Sequence, residues 1–363
     1  MKNIQVNAGS SSYPVLIGDG VFGKLQEVLE ASGMSPSKLL IVTDENVNQF
    51  YGNQIESAAG KIAGWCKYVT KSGEAAKSFE VFYDIQTFAL REGLDRKSVV
   101  LAFGGGVIGD LAGFFAATYM RGIPFVQIPT TLLAHDSAVG GKTGINHPEG
   151  KNMIGAFYQP LAVIYDTAFL RTLPLDELRS GLAEVIKHAF IKDKDMYEML
   201  HSKVRDIQFL SQNLLVELIS MGISIKASIV SEDEREQGVR SYLNFGHTLG
   251  HALEKLLGYG RISHGDAVAA GMIFALWLSE KTNHADLKLQ ENVSWFKELG
   301  FPVSLPDDIS SEKFISAMEK DKKAESGVIY MILLKEFGRA EKHAFSRQQL
   351  LELLNEWRAE VHR

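Results

Sequence analysis

The segment Leu243 to Glu254, LNFGHTLGHALE, sets His247 and His251 four residues apart, directly after a glycine, on what reads as the start of a helix. Residues i and i+4 share a helical face. One or both imidazoles are therefore placed to hold a metal ion, and spacing leaves both options open. The pattern is not that of a zinc protease, which needs a glutamate after the first histidine as general base; here that residue is Thr248. Two other glycine-flanked helical stretches add suitable groups. SGLAEVIKHAF puts Glu184, Lys187 and His188 on roughly one face, and RISHGDAVAAGM puts His264 just before a glycine. A catalytic zinc site commonly takes three His or carboxylate ligands and keeps a position open for substrate. Glu184, His247 and His264 could supply that set. Singly, each has a plainer explanation as hydrogen-bonded core or a solvated helix face. Three such positions on separate helices weaken that explanation.

A second kind of chemistry is written in SVVLAFGGGVIGDLAGFFAATY. Gly104, Gly106 and Gly109 have G-x-G-x-x-G spacing between an expected strand and an expected helix. Such glycines let backbone amides approach a pyrophosphate at a helix N-terminus. The acidic residue usual about 20 positions later is missing, because that region reads IPTTLL. Asp44, ending an earlier strand, could bind a ribose hydroxyl instead. A tight turn packing helix on sheet explains the glycines about as well. KSGEAAKS, with Glu74 and Lys77, could touch the same cofactor or be a solvated loop. Arg121 to Pro160 holds Thr130, Thr131, Asp136, Lys142, Lys151 and Asn152 among glycines and apolar residues. That mixture suits an inward-folded loop closing on phosphate or carboxylate.

These groups must be positioned by a framework, and the chain supplies one. Apolar runs at Ile4–Val6 and Tyr13–Gly18 read as paired strands; KLLIVTD, SVVLAFG, FVQIP and LAVIYD read as further strands separated by helices. This alternation predicts a parallel, layered α/β sheet. From about Leu175 helical periodicity dominates, through Asp176–Lys192, Leu214–Ser231, His247–Leu257 and Gly265–Lys281. The exception is Val328–Phe345, which reads as a hairpin turning at Phe337-Gly338. Pro174 marks the best boundary, giving domains 1–175 and 176–363 with a ligand cleft expected between them.

Composition restricts the function classes. The chain has 363 residues, 45% of them hydrophobic and 23% charged, with a formal charge of −6. It is an ordinary globular composition with no general nucleic-acid surface. One cysteine, Cys66, excludes an intrachain disulfide and suits a reducing compartment, so a cytoplasmic location is expected. The first residues lack a secretory apolar core, and Ala267–Leu278 is too short to span a bilayer, so no membrane association is expected.

Taken together, Asp44, GGGVIGDLAGF, RGIPFVQIPTTLLAHDSAVGGKTGIN, KNMIGAFYQP, SGLAEVIKH, RSYLNFGHTLGHALE and SHGDAVAAGM resemble the 3-dehydroquinate synthase family of sugar phosphate cyclases over nearly the whole chain. The resemblance implies an α/β NAD-binding domain with a parallel sheet, followed by a mainly α-helical metal-binding domain. It implies a carbon–oxygen lyase of the shikimate route that turns 3-deoxy-D-arabino-heptulosonate 7-phosphate into 3-dehydroquinate and phosphate. The scheme is transient oxidation at C5 by NAD, phosphate elimination, re-reduction, ring opening and intramolecular aldol closure. It also implies Zn2+ or Co2+ as metal and a homodimer. By the same resemblance Glu184, His247 and His264 hold the metal, and His251 contacts substrate and serves phosphate elimination.

Asp136, Lys142, Asn152, Lys187, Lys226, Glu236, Arg240 and Asn244 match substrate-pocket positions, and Arg121 matches an arginine reaching a phosphate. Lys142, Asn152 and Arg240 resemble the carboxylate binders; Lys187, Asn244 and His251 resemble the phosphate side. Lys322 or Lys323 is expected to add a phosphate contact. The NAD contacts implied are Asp44, Glu74, Lys77, Gly105, Gly106, Val107, Asp110, Thr130, Thr131, Lys142, Lys151 and the stretch Phe169, Leu170, Arg171 and Thr172. Three other readings are weighed: another cyclase, such as a 2-deoxy-scyllo-inosose or valiolone-type synthase; a metal-dependent polyol dehydrogenase; and a noncatalytic NAD-binding protein. The carboxylate-binding trio argues against the first, the phosphate pocket against the second and the retained His251 and metal set against the third.

Overall fold

Strands read from apolar runs become the centre of a seven-stranded sheet in the computed structural model, which describes residues 1–258, 260–321 and 328–361. Lys322 and Lys323 lie outside the described residues. The strands are β1 (Lys2–Asn7), β2 (Ser12–Gly18), β3 (Lys38–Asp44), β4 (Gly64–Thr70), β5 (Val99–Gly104), β6 (Phe125–Pro129) and, after a separate hairpin of β7 (Lys142–His147) and β8 (Gly150–Phe157), β9 (Ala162–Asp166). Their order is β1-β2-β9-β6-β5-β3-β4. β1 pairs antiparallel with β2, and every other neighbouring pair is parallel.

Side-chain alternation sorts the sheet into two faces. Leu39, Ile41, Leu101, Phe103, Val126 and Ile128 enter one core. Leu40, Val42, Val100 and Ala102 enter the other. α1 (Leu25–Ala31) and α2 (Glu45–Gly60) supply Leu25, Val28, Ile55 and Ala59 to the first core. α3 (Phe79–Arg91) and α4 (Gly106–Thr118) supply Ile85, Ala89, Leu111 and Phe115 to the second. Helices cover both faces, which is why β5, β6 and β9 are buried along their whole length. A short α5 (Ala134–Ser137) follows β6.

The remaining helices are α6 (Leu175–Lys192), α7 (Lys194–Lys203), α8 (Gln212–Glu232), α9 (His247–Leu257), α10 (His264–Asn283), α11 (Leu289–Glu298), α12 (Ser311–Asp321) and α13 (Arg347–Val361), interrupted by the hairpin β10 (Val328–Glu336) and β11 (Arg339–Ser346). The hairpin turns at Phe337-Gly338 as its sequence predicts. Start signals are side-chain caps: Asp193 accepts from Met196 N, Ser211 from Leu214 N and Ser263 from Asp266 N.

The chain forms two compact units. One is Met1–Pro174 with Ser211–Arg235; the other is Leu175–Leu210 with Glu236–Arg363. One break lies at Pro174, and 176–363 is not one continuous body. α8 packs on β1, β2 and α5 and so belongs with the sheet unit. Among the described residues α8 is also the one helix long and apolar enough to cross a membrane; the apolar stretch Ala267–Leu278 is too short to do so. Its apolar residues are largely buried inside the sheet unit, and Lys226 in its middle pairs with Asp136.

Two segments differ from expectation. β4, GWCKYVT, is an edge strand whose burial is patchy, so its apolar pattern is weak. The expected glycine-rich loop around Lys142 to Phe157 is instead the β7-β8 hairpin. Gly144 and Gly155 face each other across it: a Cβ on either would lie within 2.6 Å of a backbone oxygen of the opposite strand. The glycines serve close strand approach there, not loop flexibility.

Candidate functional site

In the helical unit, close backbone approach brings the metal-type side chains together. A Cβ on Gly265, one residue into α10, would lie 2.1 Å from the Ser180 carbonyl of α6; one on Gly271 would lie 1.9 Å from the Gly246 carbonyl at the start of α9. Gly246 adopts a left-handed φ of 78°, and a side chain there would strike Met272 and the Val268 carbonyl. Only glycine fits these contacts. As a result Glu184 on α6, His247 on α9 and His264 on α10 converge. Arg179 of α6 reinforces the arrangement with two hydrogen bonds of 2.8 and 2.9 Å to Asp266 in the first turn of α10.

The donor set fits a metal. Glu184 Oε1 lies 3.5 Å from His247 Nε2 and 3.7 Å from His264 Nε2. A tetrahedral ion with bonds of ~2.0–2.1 Å holds its ligand atoms about 3.4 Å apart. The other carboxylate oxygen of Glu184 accepts from Lys187, and both residues are buried. His247 Nδ1 lies 3.1 Å from the Phe245 carbonyl, which can only accept, so Nδ1 carries the hydrogen and Nε2 offers its lone pair. Burial, joined by the Lys187 ammonium and the neighbouring His251 and His264, pushes His247 well below the ordinary imidazole range. That direction favours the neutral ring, the form a metal requires. His251 stands beside this set, its ring 5.3 Å from His247 and 5.9 Å from His264. Its ligand atoms group with Glu254 and His264, not with Glu184 and His247.

Three more expected residues lie in this unit. Glu236 has a left-handed φ of 58° and accepts from Asn244 Nδ2 at 3.0 Å. Arg240 is 1% exposed.

In the sheet unit the expected cofactor residues gather at the carboxyl ends of β3, β5 and β6. The chain runs from β3 outward to β4 and then returns to β5 on the other side of β3. Ligands of open α/β sheets bind at such a reversal. Asp44 closes β3 and accepts from Val47 N at the start of α2; burial, opposed by that hydrogen bond, raises its carboxyl. Gly105 is the N-cap of α4, supplies no side-chain cap to its first turn, and leads into Gly106, Val107 and Asp110. A Cβ on Gly105 would lie 2.9 Å from Thr131 Cγ2, so the turn sits directly against the end of β6. Thr130 N donates to the Gly104 carbonyl, and buried Thr130 Oγ1 has no hydrogen-bond partner among the described residues. An unmet buried hydroxyl beside an open helix N-terminus fits a polar, anionic cofactor. Tyr165, on β9, donates to the Thr131 and Leu132 carbonyls and fixes that turn.

A polar network adjoins this edge. Lys77 is 3% exposed and pairs with Asp110 at 2.7 Å and with Asn152. KSGEAAKS is therefore no solvated loop at Lys77. Burial raises the Asp110 carboxyl, with Lys77 opposing. Asn152 has a left-handed φ of 56°, and its N–H donates to Asn146 Oδ1 at 2.9 Å. Asn146 Nδ2 in turn donates to Glu74 at 2.9 Å, and its own N–H to the Lys77 carbonyl at 2.7 Å.

Lys226 pairs with Asp136 at 3.2 Å and donates to its carbonyl. Lys142 opens β7, Lys151 lies on β8, and Arg121, at the end of a short 3-10 turn, has a left-handed φ of 69°. The stretch Phe169–Thr172 is mixed. The Phe169 ring is core, 4.8 Å from Tyr51 and 5.1 Å from Phe103; Leu170 is buried; Arg171 is exposed and pairs with Asp19; Thr172 Oγ1 meets Tyr51 at 2.9 Å. Only backbone is left for a ligand at Phe169.

Sequence reasoning passed over two residues, Asn146 and Glu254. Glu254 carried a signal, since it follows His251 by three on the same helix. Asn146 carried none; its ties exist only once β7 is paired.

Comparison with known proteins decides the family. Residues 67–180 match the family model described as 3-dehydroquinate synthase N-terminal, and residues 181–324 the one described as 3-dehydroquinate synthase C-terminal. The chain is 52% identical over 360 residues to a 3-dehydroquinate synthase of Bacillus pumilus (strain SAFR-032), covering 99% of each chain. The chain belongs to the 3-dehydroquinate synthase family. Among solved structures it is similar to 2-deoxy-scyllo-inosose synthase complexed with carbaglucose-6-phosphate, NAD+ and Co2+, with a TM-score of 0.89 and 25% identity over 98% of this chain and 100% of that one. It is also similar to 2-epi-5-epi-valiolone synthase from Streptomyces hygroscopicus subsp. jinggangensis 5008 with NAD+ and Zn2+ bound, with a TM-score of 0.86 and 26% identity over 97% and 98%. These likenesses bear out the expected architecture and the pairing of NAD with a divalent metal in cyclases of this shape.

Proposed function

We propose that this enzyme converts 3-deoxy-D-arabino-heptulosonate 7-phosphate into 3-dehydroquinate and inorganic phosphate. The observation that carries the reading is the 52% identity, over 99% of the chain, to a 3-dehydroquinate synthase; the solved cyclases with other products stand at 25 and 26%. When bound, NAD+ takes and returns a hydride and the divalent metal polarises the substrate hydroxyl.

The chain's own residues do the rest. Glu184, His247 and His264 hold the metal, and Lys187 fixes the far oxygen of Glu184. His251, adjacent to but outside that set, contacts substrate and helps move the proton that accompanies phosphate loss. Lys142, Asn152 and Arg240 hold the substrate carboxylate; Lys187, Asn244 and Arg121 hold phosphate, with Asp136, Lys226 and Glu236 completing the substrate contacts. Asp44, Glu74, Lys77, Gly105, Gly106, Val107, Asp110, Thr130, Thr131, Lys142, Lys151 and Phe169–Thr172 carry NAD. The left-handed backbone at Arg121, Asn152 and Glu236 supports these roles, since unusual backbone persists where surroundings impose it and clusters at functional sites. The enzyme acts as a cytoplasmic homodimer, a reading supported by the family and, for the compartment, by its single cysteine.

The test is phosphate release from 3-deoxy-D-arabino-heptulosonate 7-phosphate with substoichiometric NAD and added zinc, following NADH absorbance together with phosphate. Many phosphates per NAD without net NADH are expected. Steady NADH from a polyol would favour a dehydrogenase. Turnover of a sugar phosphate without a carboxylate in place of this substrate would favour another cyclase of the family.

A further inference from the structure

Glu254 is 3% exposed, three residues after His251 on α9. Its Oε2 lies 3.1 Å from Nδ1 of His264 on α10. A carboxylate accepts, so His264 Nδ1 carries the hydrogen and Nε2, the atom facing Glu184, is left with the lone pair. His247 is set the same way by the Phe245 carbonyl. The two imidazoles thus present the same nitrogen to Glu184, each fixed from behind by a different acceptor. They differ in exposure: the His247 side chain is 11% exposed and the His264 side chain 31%. His264 is the less enclosed ring and has more need of an anchor.

We propose that Glu254 is a positioning residue of the metal site: accepting the Nδ1 hydrogen of His264, it fixes that ring's tautomer and direction and so raises affinity for the divalent ion. The assignment rests on Glu184, His247 and His264 holding the metal, as proposed above. Buried partners of this kind typically change metal affinity by ~10–100-fold when removed.

The experiment measures zinc dissociation constants by chelator competition for the wild type, Glu254→Gln, Glu254→Leu and Glu184→Ala, with thermal melts of each metal-free protein and visible spectra of each Co2+-loaded one. Gln keeps an acceptor for Nδ1; Leu keeps the volume and lacks one. The expected result is affinity ~10–100-fold weaker in Glu254→Leu, with recovery to within a few-fold in Glu254→Gln, an altered Co2+ spectrum in the Leu variant alone, and near-equal metal-free melting of the two variants.

Unchanged affinity in Glu254→Leu would overturn the proposal, as would equal losses in Gln and Leu. Two ions per wild-type chain, one lost on removing Glu254, would overturn it by making Glu254 a ligand with His251 and His264. Failure of the underlying site reads differently: Glu184→Ala would then bind zinc as tightly as the wild type.

Discussion

The glycines of the helix contacts and those of the turn after β5 stand against different things. At the α6-α10 and α9-α10 contacts, an added Cβ at Gly265 or Gly271 meets backbone carbonyls, at 2.1 and 1.9 Å. In the turn after β5, an added Cβ at Gly104, Gly105 or Gly106 meets side chains of Ile108, Thr131 and Ser137, at 2.6 to 2.9 Å. Backbone cannot move aside without moving its helix, whereas a side chain can adopt another rotamer. The candidate metal site is thus set by rigid helix contacts, and the candidate cofactor edge by a turn with adjustable neighbours. Substitutions should be felt as loss of a whole site in the first and as graded weakening in the second.

The largest effect belongs to a residue inside the helical site that is not needed to build it. His251→Ala should leave bound zinc close to stoichiometric, measured by elemental analysis, while turnover falls ~10²–10⁴-fold, the range for a lost proton-transfer group. Loss of zinc in that variant would merge His251 with the ligand set and break the division.

Next is the glycine pair itself. Gly265→Ala should lower stability by ~1–3 kcal/mol and weaken zinc binding, because α6 and α10 must separate. Gly105→Ala should leave the melting temperature nearly unchanged and weaken NAD binding. Calorimetry of metal-free proteins with zinc and NAD titrations checks both; equal losses of stability would remove the contrast.

Legibility in the sequence follows the same divide. Glu184, His247 and His264 stand out as candidates because each lies in a glycine-flanked helical stretch, and their convergence follows from the packing of α6, α9 and α10; spacing alone does not separate His247 from His251. The buried central strands could be read because helices on both faces require unbroken apolar runs such as VVLAF. β4 could not, since an edge strand exposes Trp65 and Val69 and blurs its pattern. The β7-β8 hairpin was hidden because its glycines look like loop residues until their partners across the strands are known. α8 was misplaced because helical periodicity tells which face is buried and nothing about what buries it; Lys226 against Asp136 is a tertiary fact.

Asn146 tests how adjustable the sheet-unit site is. Its side chain bridges Glu74 and the Asn152 N–H, and its backbone ties to Lys77. Asn146→Ala should raise KM for NAD and for substrate together, each by about tenfold if roughly one hydrogen bond's worth, ~1.4 kcal/mol, is lost on each side. A change in only one would mean that the bridge does not couple Glu74 to Asn152.

The smallest expected effect is an absence of change. Cys66 lies buried on β4, and burial pushes its thiol up to about 11. At pH 8 the native thiolate fraction is therefore small, and reaction with a thiol reagent reports opening of the sheet unit. The sign is definite: a raised thiol pKa lowers reactivity at every pH below it, and labelling should quicken as pH climbs toward 11 even without unfolding. With Glu184, His247 and His264 as the proposed ligands, stripping the metal with a chelator should remove the charge between them, so helical-unit amides should exchange hydrogen faster. Cys66 should label at an unchanged rate at pH 8 if the sheet unit owes its stability to its own two cores. Faster labelling after chelation would mean that metal binding stabilises the sheet as well, and the two sites would then be energetically one.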